Sequence, residues 1–376
     1  MRHLVWFGFL VFVSANAVAQ QSVGDSDTSL HQPDTAWRAY AQASLWAAYD
    51  AIPVSEFGGD WSVGYAPREG RNLFLQRNRA EFGVEKDGWR VGIEYRQEGT
   101  LDASRDTLEF YRLYQQQQRP DGARDFNLSA KFRSWSAAGL RVGRTFALDA
   151  ASSNGPLLMV SGALYANPRN RDVEADGTVN YKPTDVYGFN AQYLESNTKY
   201  QYPFMQDRTQ TSSGASVSIA LQWPLTERLQ ANLALNDIWS QMRWSNLPSV
   251  RKSINSEVTS YDKDGYINYQ PLLSGQNSQI EKTGTIGASG ALSLTYQLEQ
   301  WAMKMRVDRI EGTTIPTVLA TYQSNWGAFT ASYETRFNTL GVAYDYGPFR
   351  LHLHSNRWPF SEASALGLDA GVHYTF

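Results

Sequence analysis

The chain has 376 residues, 34 Lys and Arg against 37 Asp and Glu, a formal net charge of −3 and no cysteine. That balance excludes the basic footprint of a nucleic-acid binder, and the missing cysteines exclude disulfides, thiolate metal sites and a cysteine-borne lipid anchor. Aromatic residues make up 13% of the chain, with 21 Tyr and 12 Trp, yet the mean hydropathy is −0.45, a pairing that suits apolar residues thinned out by strict alternation.

Arg2 supplies a positive n-region, Leu4 to Val13 an apolar h-region and Ala17-Val18-Ala19 an A-x-A cleavage site, so residues 1–19 read as a secretory signal peptide. The apolar run is about half of what a spanning helix needs. Residues 20–36, QQSVGDSDTSLHQPDTA, are polar and turn-rich and read as a flexible periplasmic lead-in. Residues 37–376 show no helical period, repeat or linker and read as one domain.

Period two recurs along this domain. Trp89, Val91, Ile93 and Tyr95 alternate with Arg90, Gly92, Glu94 and Arg96, and Phe126, Leu128, Ala130 and Phe132 with Asn127, Ser129, Lys131 and Arg133. Ala215 to Trp223 and Leu229 to Leu235 alternate on either side of a PLTE turn, and Ile286 to Tyr296 is followed by Trp301, Met303, Met305 and Val307. A soluble sandwich would alternate too. The aromatics decide, because Trp89, Trp223, Trp301, Trp326 and Tyr346 all stand beside short turns, as in the girdle where membrane barrels meet the periplasmic interface. Strands are expected near 37–49, 72–86, 89–100, 107–117, 125–134, 139–148, 156–167, 175–182, 186–197, 214–223, 228–242, 284–297, 301–311, 315–323, 327–336, 339–346, 349–356 and 365–376. The expected fold is therefore all-β, a transmembrane antiparallel β-barrel of 16 to 18 strands, best read as 18. Short turns then share one side, and the long connections 50–71, 198–213 and 243–283 the other; the last is expected to fold over or into the pore.

The final stretch, GLDAGVHYTF, alternates and ends aromatic-any-aromatic, with Gly371, Tyr374 and Phe376 as its marked positions. It resembles the C-terminal signal by which bacterial outer-membrane β-barrels are recognised by their assembly machinery. The resemblance is to the porin-like class and to no specific family within it. It implies residence in the cell outer membrane, with membrane lipid and the barrel-assembly machinery as partners. Physics agrees: in hydrocarbon an alternating all-β chain pairs all its backbone groups only as a closed barrel.

The lumen-facing row is expected to carry Arg79, Arg90, Arg96, Lys131, Arg133, Arg141, Lys304, Arg306, Arg336 and Arg350 against Glu81, Glu94, Glu334, Asp308, Asp345 and Asp369. This modest positive excess points to a pore favouring anionic solutes; the competing reading is a set of Arg–Glu ladders that only support the wall. His352 and His354 sit two apart without an evident third metal ligand, and neighbouring His354 and Ser355 point to opposite faces of a regular strand, against a serine hydrolase. Asp262 to Gly265, DKDG, starts like a calcium loop, but Leu273 stands where the bidentate Glu belongs. No catalytic, metal or cofactor site is expected. The expected function is a passive channel for small hydrophilic solutes, with anionic ones favoured. The alternatives are the barrel of a secretion, polysaccharide-export or surface-appendage system with its partner protein, and an outer-membrane hydrolase.

Overall fold

The computed structural model describes residues 30–33, 35–149, 155–182, 186–201, 209–256, 259–261, 267–269 and 273–376. The expected signal peptide, residues 20–29 of the lead-in and the DKDG stretch lie outside the described residues.

Wall strands run in chain order as β1 (Arg38–Tyr49), β2 (Arg71–Lys86), β3 (Trp89–Ser104), β4 (Arg124–Ala147), β5 (Leu157–Lys182), β6 (Val186–Asn197), β7 (Thr211–Pro224) and β8 (Leu229–Asn255). A small hairpin follows, β9 (Thr259–Tyr261) and β10 (Ile267–Tyr269), and then β11 (Leu273–Gly284) and β12 (Ser289–Leu298). The last six are β13 (Trp301–Ile310), β14 (Thr313–Ser324), β15 (Gly327–Glu334), β16 (Thr339–Tyr346), β17 (Phe349–Ser355) and β18 (Ala365–Thr375). All pairings are antiparallel, and β18 pairs with β1 from Arg38↔Thr375 to Ala48↔Ala365, which closes the ring. Trp37 and Phe376 exchange backbone bonds of 3.2 and 2.9 Å at its foot.

Among the described residues the ring has 14 strands, with β6 and β11 outside it. The expected count of 18 is corrected by four differences. Stretches 125–134 and 139–148 are one strand, β4, and 156–167 and 175–182 are one strand, β5. A bulge separates each apparent pair: Ala138 faces Ala166 but Ser136 faces Arg169, with Asn167 at φ 46°. The extra residue reverses the alternation of β5, so Met159, Ser161 and Tyr165 point inward below the bulge and Asn170 and Asp172 above it. Two continuous strands therefore looked like four. The expected strand at 107–117 is instead a helix, α1 (Arg105–Gln115), because the Ser104 hydroxyl accepts from the Thr107 N–H at 3.2 Å and Asp106 sits in the first turn. Finally, 186–197 forms β6, which stands above β7 between the upper parts of β5 and β8.

Apolar residues of the ring face out, as lipid requires: Phe82, Ile93, Leu140, Leu164, Met305 and Val342 are all exposed. The ring-forming parts of the strands are about the length that crosses a bilayer at a tilt. Trp89, Trp223, Trp301, Trp326, Tyr346 and Phe376 are exposed at one end, beside the short turns. One of these, Asp87-Gly88, has φ of 49° and 77°, as a two-residue I′ hairpin needs. The long connections share the opposite end. Upper β8 and β11 extend the wall there, with the β9–β10 hairpin between them, so within the described residues 243–283 builds wall rather than a plug. The connection at 50–70 also stays out of the pore: Phe57 and Trp61 pack with Tyr49 and Phe74 on the outer face, where α1 adds Leu108.

The ring's closure gives a direct test in a chain without cysteine. Ala43 and Ala370 are paired across the β1–β18 seam, with Cα atoms about 5.5 Å apart, inside disulfide range. Ala43→Cys with Ala370→Cys is expected to cross-link on oxidation in the folded protein, seen as a reducible mobility shift on a gel. Absence of the cross-link would mean the seam is open or out of register.

Candidate functional site

Inward side chains divide the lumen into two parts. The part bounded by β3, β4, β5, β7 and β8 is filled by charges that satisfy one another. Arg96 of β3 reaches Asp237 of β8 with bonds of 2.9 and 2.7 Å, spanning the three strands between them. It also donates to the Tyr165 hydroxyl at 2.9 Å and to Glu98 at 2.5 Å, and lies 5.1 Å over the Trp135 ring. Glu94, fully buried, accepts from Tyr165 at 2.7 Å, Arg79 at 3.0 Å and Arg141 at 3.4 Å. Glu81 accepts from Tyr40 at 2.7 Å, Arg79 at 3.0 Å and Arg90 at 3.1 Å. Such charges are tolerated away from water only because each carboxylate is shared among several donors. An apolar cluster of Ala137, Ala163, Tyr165, Met242, Trp244 and Ile286 packs alongside.

Between β1–β3 and β13–β18 a cavity of about 230 Å³ stays open. Its wall mixes charge, from Arg77, Arg306, Glu334 and Asp369, with the apolar faces of Ile315 and Leu319. Toward the long-loop end it narrows under Trp46, Ala48, Leu75, Ile315 and Phe337, and Arg336 clamps Asp50 there with bonds of 2.9 and 3.0 Å. At the short-turn end the last residues of the lead-in cross the mouth. The Leu30 N–H donates to Gln222 of β7 at 3.2 Å, while His31 lies 3.7 Å from Glu85 of β2.

Of the ten basic residues singled out in the sequence, Arg79, Arg96, Arg306 and Arg350 line the cavity. Arg306 is paired with Asp308 on its own strand at 2.6 and 2.7 Å, and Arg350 lies 3.4 Å from Asp345. Lys304 is buried in the same wall. Arg90 and Arg141 belong to the charge network, Arg141 also donating to Ser161 at 2.9 Å. Lys131, 2.6 Å from Glu174, and Arg133, in register with Asp172, stand in the extension above the membrane, and Arg336 is in the β15–β16 turn. Within the ring the expected positive excess is offset, because Glu85, Glu98 and Asp237 face inward as well and Arg77 adds only one further cation. Asp237 was hidden by a bulge, φ 55°, where the β7–β8 register shifts. Gly371 faces the lumen beside Gln42, and Tyr374 and Phe376 are exposed with rings 6.1 Å apart.

One constellation escaped sequence reasoning. His354 and Ser355 do face opposite ways, but His352 lies between two other partners, Ser332 Oγ at 3.3 Å from Nε2 and Asp369 Oδ2 at 3.2 Å from Nδ1. Asp369 also accepts from Ser44 at 2.5 Å. All three residues line the cavity. Their spacing along the chain is that of successive hairpins, so only the register reveals them.

No family model matches the chain, and no curated protein does. Among solved structures it is similar to the toluene transporter TodX of Pseudomonas putida, at 12% identity over 92% of this chain and 90% of that one with a TM-score of 0.44. It is also similar to the toluene transporter TbuX of Ralstonia pickettii, at 8% identity over 92% and 90% with a TM-score of 0.29. For the outer membrane protease OmpT of Escherichia coli the values are 11%, 94%, 100% and 0.26. Likenesses this low carry no argument about activity. The closed ring, its outward apolar belt and its aromatic girdle make the chain an integral outer-membrane β-barrel.

The cross-lumen pair is expected to hold the strands together. Asp237→Ala leaves the buried Arg96 guanidinium without its bidentate partner and is expected to cost about 3 to 5 kcal/mol of stability, read as a lower urea midpoint for loss of the folded, heat-modifiable band. A loss under about 1 kcal/mol, the level of an exposed pair, would show that the pair is solvated.

Proposed function

We propose that this barrel is a passive channel that admits small polar solutes one at a time and without strong charge preference. The observation that carries the reading is the cavity of about 230 Å³ inside the ring. That is space for about eight waters at liquid density, enough for a single-ring solute and too little for a hydrated polymer. The mixed wall favours polar or amphipathic molecules over bare ions, since each guanidinium there already has a carboxylate nearby. Compensation, rather than a positive field, replaces the anion preference expected from the sequence.

The closures at its two ends differ in strength. Phe337 and Trp46 are packed, and Arg336 is doubly bonded to Asp50. Residues 30–33 belong to no strand or helix and reach the wall through contacts with side chains, such as Leu30 N–H to Gln222 and His31 to Glu85, so this segment is the easier one to displace. A role in passing a polysaccharide or a secreted chain is disfavoured by the Arg96–Asp237 bridge, which occupies the part of the lumen such a chain would need.

Deleting residues 30 to 33 is expected to raise single-channel conductance in planar bilayers at least severalfold over the intact protein, and to speed swelling of proteoliposomes in a monosaccharide more than in a trisaccharide. Unchanged, negligible conductance would count against a channel, and equal swelling in both sugars against the size limit.

A further inference from the structure

The cavity holds a second feature that a channel does not need. Ser332 of β15, His352 of β17 and Asp369 of β18 form a directional chain, Ser332 Oγ to His352 Nε2 at 3.3 Å and His352 Nδ1 to Asp369 Oδ2 at 3.2 Å. The two imidazole nitrogens are thereby assigned opposite tasks, one facing the hydroxyl and the other a carboxylate. His352 and Asp369 are direct register partners. Ser332 is not adjacent to His352 in the sheet, because β16 runs between them and places Gly341 opposite Ser332.

Gly341 is what allows the contact. A Cβ on it would lie 2.2 Å from Ser332 Oγ and 2.7 Å from His352 Nε2, so any other residue would push the hydroxyl and the ring apart. The imidazole is held from behind as well, stacked on His354 with centroids 5.1 Å apart and planes at 13°. Asp369 is oriented in turn by the Ser44 hydroxyl at 2.5 Å. A serine, a base and a group that orients the base thus sit on the wall of a cavity able to hold a small molecule.

We propose that Ser332, His352 and Asp369 are a nucleophilic relay and that Ser332 is acylated by small carboxylic esters entering the cavity. In the first step Ser332 Oγ bonds to the ester carbonyl carbon while its proton passes to His352 Nε2. The carbon–oxygen bond to the alcohol then breaks, and His352 returns the proton to the departing alkoxide. In the second step water attacks the acyl-serine carbonyl, giving its proton to His352. Collapse of that intermediate releases the carboxylic acid and restores the serine hydroxyl. Asp369 holds the tautomer and stabilises the imidazolium. The size and wall of the cavity set the substrate class: a short acyl chain fits against Ile315 and Leu319, with polar groups toward Arg306 and Arg77.

The inference rests on the cavity being open to solutes, as the channel reading holds, and the test separates the two. The folded full chain in detergent is treated with a small fluorophosphonate, and the modified peptide is identified by mass spectrometry. Ser332 is expected to carry the phosphonyl group, and His352→Ala and Gly341→Ala to slow labelling at least tenfold while the unheated band keeps its mobility. Ser332→Cys is treated in parallel with a small methanethiosulfonate. If the cysteine reacts while the wild-type serine stays unlabelled, the relay is overturned and the channel reading stands. If neither reagent reaches position 332, both fail. Labelling of Ser332 that is indifferent to His352→Ala overturns the role given to the histidine.

Discussion

Everything in this molecule follows from one constraint: within the bilayer core no backbone donor or acceptor can be left without a partner. An alternating chain meets it only by pairing its last strand with its first, and the register from Arg38↔Thr375 to Ala48↔Ala365 does so. Closure fixes the number of wall positions and hence the width of the lumen. With 14 strands in the ring among the described residues, inward side chains from opposite walls can touch. Arg96 meets Asp237 for that reason, and a wider ring would leave both charges to water.

The same narrowness makes the interior a problem of charge compensation. Strict alternation sends polar residues inward, but a lumen of this width cannot hydrate them all. The solution is shared carboxylates: Glu81 and Glu94 each serve several donors, and Arg79 bridges the two at 3.0 Å. Such a network is costly to form and costly to break singly. It fills one side of the barrel and leaves the cavity, with its Ser332–His352–Asp369 chain, as the space available for a solute.

Much of this was legible in the sequence. Period-two runs and turn-side aromatics such as Trp89, Trp301 and Tyr346 gave the architecture and correctly put the short turns at one end. Elements were misread where a local device broke the period. The bulge at Asn167 reversed the alternation of β5 and made one strand look like two, and the cap at Ser104 turned an apolar run into a helix. Site errors have the same origin. Asp237 enters the lumen through a bulge with positive φ, so its pairing with Arg96, distant in sequence, could not be counted. Ser332 and His352 meet over Gly341 across an intervening strand, a diagonal that strand-by-strand reading does not contain.

The central claim is that the lumen's charges compensate one another, so the pore discriminates by size and polarity and not by sign. It is tested most directly by the zero-current potential across a bilayer carrying the variant without residues 30 to 33, under a potassium chloride gradient. The account predicts a potential close to zero, since neither ion meets an uncompensated ring of charge. A potential near the Nernst limit for chloride would contradict it and restore the positive lumen that the sequence alone suggested.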